Sequence, residues 1–174
     1  MVITMSTKCA CVDGASFSNM KLALGINDVN YPALRRTLAR IGTCDHFAPR
    51  PIMTVDPRYV TKRNRLLTEL DHAGFTAIPI ASEHEEDDLV IRKHIRSAAS
   101  GTAEIVIVSA DMGYMEALEE KAAQGIRIYW VATLAVHPDD QRCSLSKRVI
   151  ERCKRPGFQF IDLARYKNFL AQNK

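Results

Sequence analysis

Ile105, Val106, Ile107 and Val108 form an unbroken β-branched run. A short continuous apolar run of this kind is the pattern of a strand covered on both faces, usually in a parallel sheet. It leads through Ser109 and Ala110 to Asp111, where the chain leaves the sheet and a helix-like segment begins. The chain repeats the arrangement near its start, where Lys8 to Val12 run into Asp13 and Gly14. Between and beyond these two points the spacing alternates. Cys9–Val12 reads as the first strand. Tyr31–Ile41 carries Leu34, Leu38 and Ile41 at helical spacing. Ile52–Val55 reads as a strand ending at Asp56-Pro57. Lys62–Ala73 is predicted helical on Leu66, Leu67 and Leu70, with Gly74 as its stop. Phe75–Ile80 is the next strand, and Asp87–Ala99 a helix with Ile91, Ile95 and Ala98 on one face. The strand at Ile105, a helix Met115–Ala123 and a strand Ile126–Val131 follow. The tail offers a helix within Ser144–Cys153, a short strand Phe158–Leu163 and a last helix Ala164–Leu170.

Strands alternating with helices across short glycine-marked turns predict an α/β fold of three layers, α/β/α, around a mainly parallel central sheet. A length of 174 residues suits one domain, with a core over about residues 8–133 and an extension over 134–174. Apolar content of 47% and charged content of 25% are ordinary for a globular chain, and no apolar run reaches membrane-spanning length. The first residues lack the basic and apolar regions of a signal peptide. The five cysteines form no CxxC pair and no His/Cys cluster of zinc spacing, so free, mostly buried thiols in a reducing, cytoplasmic setting are expected. The net charge of +4 permits a polyanionic partner.

In open α/β sheets ligands bind beyond the carboxyl ends of the strands, so Asp13 and Asp111 mark one expected rim. Asp87 and Asp88 open the helix after the third strand, at the same sheet edge. Acids there favour the helix dipole, yet their spacing to Ile91 turns at least one toward the core-facing side. Crowded carboxylates repel unless a cation compensates, and oxygen-only donors suit Mg²⁺ or Mn²⁺. Arg58, Lys62, Arg63 and Arg65 follow the second strand on this rim and are the expected phosphate-binding group. A second basic group, Lys147, Arg148, Arg152, Lys154 and Arg155, reads as a solvated helix face. Tyr59 and Tyr114 are candidates for stacking on bases, although aromatics near a site are more often packing residues; Trp130 reads as core.

The ordered set Asp13-Gly14-Ala15-Ser16, Asp87-Asp88 three to four residues before Ile91, and Val108-Ser109-Ala110-Asp111 resembles the NYN family of PIN-like nucleases, over roughly Lys8 to Thr133. The resemblance implies strand order 3-2-1-4-5 and metal-dependent phosphodiester cleavage, most often of RNA. It implies Asp13, Asp111 and Asp88 or Asp87 as Mg²⁺ or Mn²⁺ ligands and catalytic acids. Ser16 stands where the family has asparagine. Ser109 is implied to support the third acid or a phosphate. Gly113 stands where a further acid often follows. The reading is thus a metal-dependent endoribonuclease, with RNA as partner and a homo-oligomer allowed. The alternative is a catalytically weak nucleic-acid-binding or assembly module on the same fold. A phosphatase of the haloacid dehalogenase type is disfavoured by Ala15, where such an enzyme needs a second aspartate.

Overall fold

The structure, a computed structural model, describes residues 6–57, 65–80, 84–139 and 145–171, with the side chains at 84–87 outside the description. Strands β1 (Thr7–Val12), β2 (Ile52–Val55), β3 (Thr76–Pro79), β4 (Thr102–Val108), β5 (Arg127–Ala132) and β6 (Phe158–Asp162) form one sheet of order β3-β2-β1-β4-β5-β6. Every pairing is parallel. The order over the first five strands is the expected one, and β6, drawn from the extension, adds a sixth. The extension is therefore part of the sheet rather than an appendage.

Helices α1 (Gly14–Ala23), α2 (Tyr31–Arg40), α3 (Arg65–His72), α4 (His84–Arg96), α5 (Met115–Ala123), α6 (Lys147–Arg152) and α7 (Lys167–Leu170) complete the three layers. α2 packs against α3 and α7, whereas α4 packs against α5 and β1. The central strands β1 and β4 lie under both helical layers, which is why Cys9 to Val12 and Ile105 to Val108 are fully buried. Trp130 is likewise in the core, its indole N–H donating to the Ser109 carbonyl at 2.7 Å. Cys9, Cys11, Cys44 and Cys153 are free thiols. Burial pushes Cys9 up to about 12 and Cys153 up to about 11, so neither is a ready nucleophile.

The departures from the expected elements have local causes. α1 buries only Phe17 and Met20, so spacing alone sets no bounds for it. α4 begins at His84 rather than Asp87, which moves Asp87 and Asp88 from the first turn into the second. The last segment divides into a 3₁₀ turn over Leu163–Tyr166, capped by Asp162, and the short α7.

Gly14 is required by contact. A Cβ there would overlap the carbonyl oxygen of Thr54, while the Gly14 N–H donates to the Thr54 hydroxyl at 2.9 Å. The glycine lets the start of α1 lie against the end of β2. Gly14→Ala is expected to destabilise the fold by about 2–3 kcal/mol, because the obstacle is backbone and cannot rotate away. Urea unfolding of the variant checks this.

Candidate active site

The rim is built at the point where strand order reverses. β1 and β4 are neighbours, with Val12 opposite Val108, and the next residue of each strand begins the site. The Asp13 N–H donates to the Val108 carbonyl at 3.0 Å, fixing Asp13 beside Ser109. Asp13 also caps α1, its Oδ1 accepting from the Ser16 N–H at 3.0 Å. Its Oδ2 accepts from the hydroxyls of Ser16 at 2.8 Å, Ser109 at 2.9 Å and Tyr114 at 3.1 Å. Asp13 is only 4% exposed, so these four bonds satisfy a carboxylate that water barely reaches.

Asp111 sits three residues beyond β4 and is exposed. It caps the 3₁₀ turn Met112–Tyr114, its Oδ1 accepting from the Gly113 N–H at 2.9 Å. Ser109 joins the two acids: its hydroxyl donates to Asp13 and accepts from the Asp111 N–H at 3.0 Å. Since Ser109 is fully buried, it supports the acids and does not face a phosphate.

Asp88 arrives from α4. A Cβ on Gly113 would lie 2.5 Å from its Oδ2, so the missing acid of the motif has a steric reason. Gly113 makes room for the Asp88 carboxylate, and an aspartate there would run into it. Asp88 shares the Tyr114 hydroxyl with Asp13. Burial raises the Asp88 carboxyl above its ordinary range; the Tyr114 hydrogen bond opposes this, while the charges of Asp111 and Asp13 add to it. Burial and the two carboxylates also drive the Tyr114 phenol well above its usual range, so it stays a neutral donor. Because the folded state favours the protonated acid, Asp88 contributes stability at low pH that is lost as pH rises through its folded value. Asp88→Asn should therefore raise the melting temperature at pH 7 and gain little at pH 4, which paired thermal melts would show.

Asp13, Asp88 and Asp111 thus reach one rim from three elements. Asp87 lies on α4, with its side chain outside the described residues. Arg58, Lys62, Arg63 and Tyr59 also lie outside them. Arg65 is described, and it is exposed and paired with Glu69 at 2.7 Å. Tyr114 is fully buried, a packing residue and not a stacking platform, the commoner fate of an aromatic beside a site. Its part in bridging two acids was not legible from spacing, and only its position three residues after Asp111 hints at it. Ser16, Asn19, Ala110, Asp111, Met112 and Ser146 line an open cleft of about 380 Å³ at the rim. Ser16 therefore faces both Asp13 and the cleft.

Among the described residues, no group of three or more His, Cys, Asp or Glu side chains stands ready to enclose a metal ion. Asp13, with both oxygens engaged, does not offer a free ligand in this arrangement. The donor set is nonetheless carboxylate and hydroxyl only, and Mg²⁺ usually keeps several waters while one or two carboxylates hold it. In donor chemistry alone, Asp88 and Asp111 are the residues that would hold a hydrated cation, with Asp13 behind them.

No protein-family model matches the chain, and no curated protein matches it. Among solved structures, the chain is similar to a protein of unknown function from Vibrio parahaemolyticus RIMD 2210633. The TM-score is 0.65 at 15% identity, covering 94% of this chain and 98% of that one. At that identity the likeness shows the fold alone: a three-layer α/β/α domain with an all-parallel sheet.

Proposed function

We propose that the protein is a metal-dependent ribonuclease whose acids are Asp13, Asp88 and Asp111. The observation that carries this reading is their convergence on the carboxyl edge of the sheet, at the switch between β1 and β4. Asp88 and Asp111 would hold a hydrated Mg²⁺ or Mn²⁺. When bound, that ion lowers the pKa of water and offsets charge on a phosphoryl group. The chain's own residues do the rest. Asp13 fixes Ser16, Ser109 and Tyr114 through its four hydrogen bonds. Tyr114 would hold Asp88 in place beside Asp13, and burial keeps the Asp88 carboxyl above its ordinary range when no cation is bound. On the cleft wall, Asn19 would donate to the scissile phosphate, and Ser16, whose hydroxyl proton goes to Asp13, would accept from a ribose hydroxyl.

The test is cleavage of single-stranded and structured RNA by purified protein with Mn²⁺, with Mg²⁺ and with chelator. Strand scission with either metal and none with chelator is expected. Metal-independent binding without scission would favour the binding-module reading, for which the closed hydrogen bonding of Asp13 already speaks.

A further inference from the structure

The second basic group of the chain does not lie on a remote solvated face. α6 stands beside α5, and Met112, Met115, Lys147, Arg148 and Arg155 line a groove of about 360 Å³ between them. This groove adjoins the acidic cleft. Met112 lines both, and the Ser146 hydroxyl, on the cleft wall, lies 3.2 Å from the Met112 sulfur. The two depressions thus meet at Met112, with the Ser146–Met112 contact between them.

The charge of the groove is one-sided once its internal pairs are set aside. Glu119 pairs with Arg152 at 2.9 Å, and Glu151 pairs with Lys154 at 2.6 Å. Arg152 is further held over the Phe158 ring, 4.9 Å from its centre. Lys147, Arg148 and Arg155 are exposed and have no acidic partner among the described residues. Three cations with no acidic partner among the described residues, beside two half-buried methionines, match a strand with a charged backbone and apolar base faces.

Resting on the ribonuclease reading, we infer that α6 is the substrate-guiding element. Single-stranded RNA leaves the acidic cleft across Met112 and runs along the α5–α6 groove, with its phosphates on Lys147, Arg148 and Arg155. The extension is then what gives the site its strand path.

The experiment measures binding of a fluorescent 16-nucleotide single-stranded RNA by anisotropy over a salt series, in metal-free buffer. Arg148→Glu with Arg155→Glu should weaken binding tenfold or more. It should flatten the log–log salt slope by about 1.4, since each lost phosphate contact removes about 0.7 for a single strand. Arg148→Gln with Arg155→Gln should give a smaller loss in the same direction, and melts of both variants show whether α6 still folds. Arg36→Gln, an exposed charge change on α2 away from the groove, should bind as well as the wild type. If wild type binds and both double variants keep its affinity and slope, the groove is not the path, and the ribonuclease reading stands untouched. If a 16-base-pair RNA duplex binds as tightly as the single strand, the single-strand assignment is overturned. If the wild type binds neither, both the groove and the ribonuclease reading fall.

Discussion

Glu104→Ala is expected to lower the melting temperature by roughly 6–20 °C at pH 7, the largest stability loss expected of a single change in this chain. Glu104 and Lys8 are both fully buried, facing each other across the β1–β4 pairing at 3.8 Å. They lie below the core, at the end of the sheet away from the acidic rim. The Lys8 ammonium donates to the carbonyls of Leu38 at 3.1 Å and Ala39 at 2.8 Å, and also to that of Ile41. It thereby satisfies the free carbonyls at the end of α2 and lies at the negative pole of its dipole. Glu104 accepts from the N–H groups of Thr43 at 2.8 Å and Cys44 at 3.1 Å, and from Arg127 at 3.0 Å. Gly42, at φ +80°, lets the loop come this close, since a Cβ there would collide with the Glu104 carboxylate. Removing Glu104 leaves a buried ammonium without its counter-charge and two N–H groups without acceptors, and such losses amount to about 3–5 kcal/mol.

The pH dependence of that loss follows from the same contacts. Burial alone would raise the Glu104 carboxyl, but the Thr43 and Cys44 donors and the Lys8 ammonium outweigh it and hold the carboxyl below its ordinary range. A depressed folded value means the stabilisation is complete above the carboxyl's unfolded value and fades as pH falls through the folded one. The gap between wild type and Glu104→Ala should therefore narrow on acidification below about pH 4. Circular-dichroism melts at pH 7 and pH 3 measure it; an equal gap at both would mean that the charge of Glu104 contributes nothing.

Asp111→Asn should cut Mn²⁺-dependent RNA cleavage on the order of 100-fold while leaving the melting temperature within a degree or so of wild type. Asp111 is exposed, and its structural duty is one bond from the Gly113 N–H, which an amide oxygen keeps. What the substitution removes is the charge on which a hard cation depends. Asp13→Asn is the contrasting variant. It replaces an acceptor that holds three hydroxyls, so activity and stability should fall together there. Unchanged cleavage by Asp111→Asn would remove Asp111 from the site and leave Asp88 without a partner acid.

The chain's own pattern was sufficient for the strands, their parallel pairing and the rim. Val12 and Val108 end two fully apolar runs, and in a parallel sheet the residues that follow such runs leave on the same side. Asp13 and Asp111 were therefore legible as residues of one sheet edge although nearly a hundred positions separate them; that their strands are neighbours was implied by the resemblance and is seen in the sheet order. Hydrophobic periodicity reports which face of an element is buried, and that was enough for Trp130 and the faces of α2, α3 and α4. It does not report which polar atoms meet once the faces are packed. Only the tertiary structure decided that Tyr114 is buried between two carboxylates, and that Gly113 is a space for Asp88 rather than a lost ligand. It also made Lys8 the counter-charge of Glu104, and it set the basic helix α6 at the mouth of the acidic cleft. Each of these is a contact between side chains distant in sequence, fixed by register and helix placement, and local spacing carries no record of it.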